Sequence, residues 1–194
     1  MKRLLCSLKN FFSDIFIIFP KKDSVDFSKD IIFFSKIQTS ESLSDFGREI
    51  VQSACGVFCL QMIFSFFNKD IPLIENLSLD LMQTHAFSVE NGLVLTKVKA
   101  VLHKYNFFSK TYSCISSKRL FYYLLNSSIP VIVSVTGAQS GHLIVLVGVS
   151  IENRQVTKIL YLDPNNSASH SLVEVTLIEW QMLFNGRALV AYPI

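Results

Sequence analysis

The spacing of hydrophobic and polar positions changes twice along this chain of 194 residues. Up to residue 20, apolar residues recur every three or four positions, which predicts an amphipathic helix. Residues 21–47 are rich in Ser, Asp and Lys and contain one apolar island, Ile31–Phe34, which predicts a tether with a short strand. From residue 48 the pattern becomes a dense series of elements, so 48–194 is predicted to be one folded domain.

Helices are predicted in the first half of this domain. The segment 55–67 is apolar on nearly every side, as expected of a helix at the centre of a domain, and Ser53 is its expected N-cap. Three further helices are predicted at 72–84, 96–105 and 117–126.

After Pro130 the pattern switches to short β-branched or alternating runs. These runs predict strands at 131–135, 142–149, 156–162, 172–175 and 188–192, together with a short helix over 177–184 that carries the only tryptophan, Trp180. Helices that come first and strands that come later indicate an α+β fold, in which the helices pack against a mostly antiparallel sheet.

Composition and charge narrow the function classes. A net charge of +3 is too weak to indicate nucleic-acid binding, and no basic run is interleaved with aromatic residues. The four cysteines are Cys6, Cys55, Cys59 and Cys114. They form no C-x-x-C pair, so we expect no metal site, and we expect reduced cysteines that are mostly small core residues of an intracellular protein.

The first twenty residues could be mistaken for a targeting or membrane-spanning segment. Polar residues interrupt the apolar stretch and no small-residue cleavage site follows, so we expect neither a signal peptide nor a spanning helix. The amphipathic helix could lie on a membrane surface, or it could pack on its own domain or on a partner, and the pattern leaves these alternatives open. We therefore expect a cytoplasmic protein, either free or peripheral to the membrane.

Three positions carry candidate chemistry. Cys55 begins the buried helix, where unpaired backbone N–H groups and the helix dipole favour a thiolate, and Gly56 leaves room beside the sulfur for a substrate carbonyl. His142 begins an apolar strand after Gly141 and could project from its end. Asp163 ends the next strand, and if the two strands are antiparallel neighbours its carboxylate could hold the imidazole tautomer. A cysteine, a histidine and a carboxylate in this order are typical of nucleophilic catalysis.

The segment Ala54-Cys55-Gly56-Val57-Phe58-Cys59-Leu60-Gln61-Met62-Ile63 resembles the nucleophile helix of the C39 family, papain-like peptidases that process bacteriocin leaders. The segments 129–133 and 141–148 resemble the family's base region, and 162–164 resembles the segment that carries its orienting residue. The likeness covers 48–194. It implies a papain-like cysteine peptidase fold, with a central N-terminal helix packed on the sheet, and it implies Cys55 as nucleophile, His142 as base and Asp163 as the orienting residue, with no cofactor and no metal.

One position departs from the family pattern. The family places a glutamine six residues before the nucleophile as an oxyanion donor, and this position holds Glu49, whose carboxylate would repel a developing oxyanion. Gln52, three residues ahead of Cys55, is the remaining candidate donor. Three alternatives therefore stay open: an active peptidase, a catalytically silent C39-like domain that binds a peptide, and an acyl transferase or toxin that uses the same cysteine.

The resemblance also implies partners. The substrate would be a peptide or protein, cleaved after two small residues such as Gly-Gly if the likeness extends to specificity. The sequence has no G-x-x-x-x-G-K-[ST] motif, so an export ATPase, if one is involved, is expected to be a separate protein that residues 1–20 could contact.

Overall fold

The computed structural model describes residue 14 and residues 17–19, 22–36, 44–136, 140–167 and 171–194. Its helices are α1 (Asp45–Val51), α2 (Cys55–Phe66), α3 (Ile74–Gln83), α4 (Lys99–Lys104), α5 (Ser117–Ser127) and α6 (Leu177–Leu183). Its strands are β1 (Lys22–Asp26), β2 (Phe87–Ser88), β3 (Gly92–Leu93), β4 (Phe107–Tyr112), β5 (Val131–Thr136), β6 (Ser140–Glu152), β7 (Gln155–Leu162), β8 (Leu172–Val175) and β9 (Phe184–Pro193).

Within the described residues, seven strands form one antiparallel sheet. Its order is β4-β9-β5-β6-β7-β8, and β1 also pairs with β6. The short strands β2 and β3 form a separate two-stranded hairpin. The predicted α+β class, with helices on a mostly antiparallel sheet, is therefore confirmed.

The long strand β6 organises the sheet. One of its sides pairs with β7, and the other side is shared, because β5 pairs with residues 140–146 and β1 pairs with residues 148–152. Strand β1 therefore continues the line of β5 along β6. Gly148 lies opposite Asp26, and a Cβ at this glycine would be 2.7 Å from the carbonyl oxygen of Val25, so the close approach of β1 requires glycine there.

Two apolar cores lie on opposite faces of the sheet. Alternate residues of β6 divide between them because successive side chains of a strand point to opposite faces. Leu143, Val145 and Val147 join the core that α2, α3 and α4 cover, whereas Ile144 and Leu146 join the core under α5 and α6. Helix α2 lies at the centre of the first core, with ten consecutive residues buried. Such burial explains its apolar character on every side.

The segment before residue 48 departs from the predicted tether. The strand lies at Lys22–Asp26, whereas the apolar island at 31–34 is not a strand. Ile31 is buried in the first core, and the backbone N–H of Ile32 donates to the Ser65 hydroxyl of α2 at 3.0 Å. The island is apolar because it packs on α2. Helix α1 was not foreseen, since its seven residues are too few to show a clear period.

Most of the predicted helix at 1–20 lies outside the described residues. Within them, Asp14 accepts a hydrogen bond from Ser116 at 2.8 Å, and Lys118 donates to its carbonyl oxygen at 3.0 Å. Phe19 is buried in the second core. In the described part of the chain, no helix combines the length and the hydrophobicity needed to cross a membrane. The division at residues 20 and 47 stays a prediction.

Candidate active site

Helix α2 presents Cys55 at its first turn. Two turn hydrogen bonds end α1, from Ser53 N to Ile50 O at 3.0 Å and from Ala54 N to Val51 O at 3.3 Å, and α2 begins directly afterwards. The N-cap is Ala54, which has no side-chain oxygen, so the expectation that Ser53 caps the helix is wrong. The Ser53 hydroxyl instead donates to the carbonyl oxygen of Val89, and this bond ties the start of α2 to the β2–β3 hairpin.

His142 lies near the start of β6, opposite Val135 of β5. Gly141 before it adopts a φ of +97°, a conformation that L side chains rarely adopt. Among the described residues, no atom beyond the two chain neighbours lies within 4 Å of the place that a Cβ would take, so the backbone before His142 is uncrowded there.

Asp163 follows the last residue of β7. Because β6 and β7 are antiparallel neighbours, with Val145 opposite Leu162, the end of β7 lies beside the start of β6. One oxygen of the Asp163 carboxylate, Oδ1, accepts from His142 Nε2 at 2.8 Å and from the backbone N–H of Asn165 at 2.8 Å. The side chains of His142 and Asp163 are only 17% and 19% exposed, so water competes weakly for this bond.

Asn165 is a contact that the sequence analysis missed. Its amide nitrogen Nδ2 is 3.4 Å from both His142 Nδ1 and His142 Nε2. An atom equally distant from both ring nitrogens lies over the face of the ring rather than in line with either lone pair. The amide therefore packs against the imidazole. The available signal is its place in Asp163-Pro164-Asn165-Asn166, two residues after the predicted orienting carboxylate.

The surroundings of Cys55 act on its thiol in opposite directions. Burial, the largest effect, raises the pKa of Cys55. Four effects lower it: the hydrogen bond with His142, a backbone hydrogen bond from Leu143, and the positive charges of His142 and Lys36. The resulting pKa of Cys55 lies below the usual value of 9.0. The structure thus favours a thiolate although the sulfur is largely shielded from water.

His142 shows the complementary behaviour. Burial, again the largest effect, lowers its pKa, but the hydrogen bonds with Asp163 and Cys55 and the negative charges of both groups together raise the pKa to about 9. A thiol with a lowered pKa beside an imidazole with a raised pKa favours the pair of ions over the neutral pair. Since Nε2 is bonded to Asp163, Nδ1 is the ring nitrogen left for the sulfur.

The expected role of Gly56 is wrong in part. A Cβ at this position would be 2.5 Å from the Cβ of Leu93 and 2.8 Å from Cδ1 of Leu143. The space beside Gly56 is therefore filled by these two leucines and is not open to a substrate carbonyl. Glycine is required here so that the β2–β3 hairpin and β6 can approach α2 closely.

The two candidate positions for an oxyanion donor lie on or at the end of α1. Glu49 and Gln52 both have exposed side chains. Gln52 is the C-cap of α1, and its backbone carbonyl accepts a hydrogen bond from the Lys36 ammonium at 2.8 Å. The oxyanion role of Gln52 stays a prediction.

A cavity of about 470 Å³ lies beside the site on the side of Gly141. Leu143 and Leu93 form one wall, and Arg187 of β9 contributes a positive charge at another. The remaining wall comes mainly from Val94, Leu95 and neighbouring polar residues of β4.

The other described cysteines differ from Cys55. Cys59 is a free thiol buried in the first core, and burial, together with the charges of Cys55 and Asp163, raises its pKa well above 9.0. Cys114 is disulfide-bonded, so the expectation of reduced cysteines is wrong for this residue. Among the described residues, no group of three or more His, Cys, Asp and Glu side chains is placed to hold a metal ion.

Solved structures similar to this fold come from peptidase domains. The peptidase domain of Streptococcus ComA, described as a bi-functional ABC transporter involved in a quorum-sensing pathway, matches with a TM-score of 0.56 and 19% identity over 73% of this chain and 93% of that one. A double-glycine-motif protease from an AMS/PCAT transporter, solved with its leader peptide, matches with a TM-score of 0.48 and 18% identity over 73% and 85%. No curated protein matches the chain.

The family comparison covers the whole of the candidate site. The model of the Peptidase C39 family matches residues 46–191, a range that contains Cys55, His142 and Asp163 and excludes β1 and Lys36. Since this range is about three quarters of the sequence, the chain belongs to the Peptidase C39 family.

Proposed function

We propose that this protein is a cysteine peptidase that hydrolyses peptide bonds through Cys55, His142 and Asp163. The proposal rests on the position of His142 between the other two side chains. Its Nε2 is bonded to the Asp163 carboxylate at 2.8 Å, and its other ring nitrogen, Nδ1, is left for the Cys55 thiol. Peptidase activity itself is the expectation for a member of this family.

The reaction would proceed by acyl transfer. The Cys55 thiolate attacks the peptide carbonyl carbon, and the protonated His142 gives its proton to the leaving nitrogen as the C–N bond breaks. A thioester to Cys55 and a free amine result. His142, now neutral, takes a proton from water as the water attacks the thioester, so the carboxylic acid leaves and the thiolate–imidazolium pair is restored. Asp163 keeps the ring oriented throughout.

The oxyanion formed during attack needs hydrogen-bond donors. The backbone N–H of Cys55, at the start of α2, is one proposed donor because the first N–H groups of a helix lack partners within it. Gln52 is the second proposed donor, and its exposed side chain would have to turn toward the sulfur when substrate binds.

The proposed substrate is the leader segment of a peptide, cleaved after a pair of small residues. Membership of the C39 family motivates this choice. The cavity beside Gly141 would take the residues that precede the cleaved bond.

Labelling with a thiol-directed electrophile tests the nucleophile. Iodoacetamide at neutral pH should label Cys55 at least about tenfold faster than Cys59, because Cys59 is buried and the pKa of its thiol is raised. Peptide mapping by mass spectrometry identifies the site, and Cys55→Ala should abolish the fast phase while the matched variant Cys59→Ala keeps it. Preferential labelling at Cys59 would refute the assignment.

Turnover separates the peptidase from a second candidate, a domain that binds a leader peptide without cleaving it. The exposed positions of Glu49 and Gln52 favour this second candidate, because neither side chain is held beside the thiol. A synthetic peptide with an internal Gly-Gly pair should be cut by the unchanged chain and left intact by Cys55→Ala. Binding of equal strength to both proteins with no product from either would favour the binding domain. A product whose mass shows transfer to an amine would indicate an acyl transferase.

A separate export ATPase or a membrane surface is the proposed partner of residues 1–20. The ComA likeness motivates this proposal, since ComA is described as an ABC transporter that includes a peptidase domain. Deletion of residues 1–13, which keeps the contacts of Asp14 and Phe19 with the domain, should move the protein from the membrane fraction to the supernatant of lysed cells. An unchanged distribution would argue against a docking role for this segment.

A further inference from the structure

Lys36 lies outside the residues that the family model matches, and yet it contacts both flanks of the candidate site. Its backbone N–H donates to the carbonyl oxygen of Pro164 at 3.1 Å, directly after Asp163. Its ammonium group donates to the carbonyl oxygen of Gln52 at 2.8 Å, three residues before Cys55. One residue therefore joins the carboxylate end of the site to its nucleophile end.

The segment that carries Lys36 is held in place by packing. Ile31 is buried in the first core, and the Ile32 N–H is bonded to Ser65 near the C-terminal end of α2. Ser35 is fully buried and Lys36 is half-buried. An ammonium group anchored in this way keeps a fixed distance from the sulfur, which a lysine free to move on the surface would not do.

The charged groups around Cys55 can be named element by element. His142 faces it from β6 and Lys36 from the segment before α1, and both charges lower the pKa of the thiol against the larger opposing effect of burial. Asp163, at the end of β7, acts on His142 and on Cys59, the next titratable group along α2. The side chain of Glu49 on α1 is exposed to water. Lys36 is therefore the positive charge near the sulfur that does not come from the catalytic pair.

We propose that Lys36 supplies a fixed positive charge at the nucleophile end of the site and favours the Cys55 thiolate, so that residues ahead of the family's matched region complete the active site. Lys36 is a positioning residue in this scheme, because it acts through Cys55 and through the Gln52 turn rather than on the substrate. The inference rests on the proposed role of Cys55 as nucleophile. It gives a function to a segment that composition alone presents as a tether.

The test measures thiolate formation without any peptide substrate. The rate of alkylation of Cys55 by iodoacetamide is followed against pH in the full chain and in Lys36→Gln, which keeps a hydrogen-bond donor but loses the charge. The midpoint of the profile should rise by roughly half a pH unit in Lys36→Gln, less than for an adjacent buried charge, because Lys36 is the smallest of the effects on the thiol and its ammonium is partly exposed to solvent. Lys36→Arg, which restores the charge, should return the midpoint to that of the unchanged chain.

Lys29→Gln is the matched control, since Lys29 is an exposed lysine of the same segment and should leave the midpoint unchanged. Thermal unfolding checks that each variant is folded, and Lys36→Met, which keeps the aliphatic stem, replaces the glutamine variant if that one does not fold. Equal midpoints in Lys36→Gln and the unchanged chain would overturn the proposal, as would a shift of the same size in Lys36→Arg. Failure of both neutral variants to fold would make Lys36 a structural residue and overturn it too. Because no peptide is cleaved in this assay, its outcome does not depend on whether the chain is an active peptidase.

Discussion

Burial works against the charged forms of both Cys55 and His142, while their partners act in the opposite direction. Each group alone would be driven toward its neutral form by the low dielectric of its surroundings. The pKa of Cys55 is lowered and that of His142 is raised because each charge stabilises the other, because Asp163 accepts from His142, and because the Leu143 backbone forms a hydrogen bond with Cys55. Removal of any one partner therefore changes the protonation of the whole group rather than that of a single residue.

Asp163→Asn tests this coupling. The hydrogen bond and charge of Asp163 contribute to the raised pKa of His142, about 9, so in Asp163→Asn the ring should lose its proton at a lower pH. In a profile of kcat/KM against pH, the descending limb near pH 9 should move toward neutral pH, and the value at pH 8 should fall by about tenfold or more.

Asn165→Ala is the control for this variant, because it removes a contact with the ring face but leaves the carboxylate in place. The descending limb should stay near its original position in that protein. If the descending limb of the kcat/KM profile stays near pH 9 in Asp163→Asn, the carboxylate orients the ring without raising its pKa.

At the level of single residues, the sequence identifies groups by their chemistry but not by their neighbours. Cys55, His142 and Asp163 could be selected because a thiol, an imidazole and a carboxylate at element boundaries are rare in so apolar a chain. Asn165 and Lys36 could not, since their relation to the site depends on turn geometry and on a segment folding back over more than a dozen residues. Neither feature leaves a periodic signal.

At the scale of elements, contacts with two other elements hold the start of α2 in place. The Ser53 hydroxyl ties it to the β2–β3 hairpin, and Leu93 of that hairpin covers Gly56 together with Leu143 of β6. Three elements thus meet within one turn of Cys55. Their close packing positions the sulfur without a side-chain cap on the helix.

Gly56→Ala should destabilise the fold, although alanine is the better helix former. The propensity gain is at most about 1 kcal/mol. The added Cβ would lie 2.5 Å from the Cβ of Leu93, an atom fixed by strand backbone, so hairpin and helix must separate. Overpacking of this kind costs about 1–3 kcal/mol, and the free energy of unfolding in urea should fall by about 1–2 kcal/mol net.

Leu93→Ala provides the compensating change for this experiment. In the double variant Gly56→Ala/Leu93→Ala, the decrease in the free energy of unfolding should be smaller than the sum of the decreases in the two single variants, because the clashing side chain has been shortened. Strict additivity would show that Gly56 matters for another reason, such as backbone conformation.

Several elements of the domain follow from periodicity, and three of the strands that were not predicted share a physical cause. Helix α2 and strands β5 and β7 are long or strongly apolar, so a single period dominates their sequence. Strand β1 and the β2–β3 hairpin are short and half-polar, and they are stable only because partners distant in sequence pair with them. A local sequence pattern cannot predict a pairing partner that is distant in sequence.

At the scale of the whole molecule, the family match and the folded unit do not coincide. The match begins at residue 46, but β1 pairs with half of β6, and Ile31 is part of the main core. Without β1, residues 148–152 would present unpaired backbone groups at a sheet edge.

Deletion of residues 1–26 should therefore lower the melting temperature by roughly 5 °C or more and promote self-association. Thermal unfolding and size-exclusion chromatography measure the two effects. Deletion of residues 1–13, which leaves the contacts of Asp14 and Phe19 with the second core, is the matched control and should cost less. A melting temperature unaffected by this deletion would show that residues 27–194 fold without β1.

The pairing of β1 with β6 also sets an order of events during synthesis. Val25 is made roughly 120 residues before its partner Val149, so this strand must wait unpaired while the intervening chain is made. The candidate site likewise cannot be completed before residue 164 has emerged, because Lys36 bonds to Pro164. A nascent chain that ends before this point would lack the arrangement of Cys55, His142 and Asp163 and could not use it on a peptide, including its own.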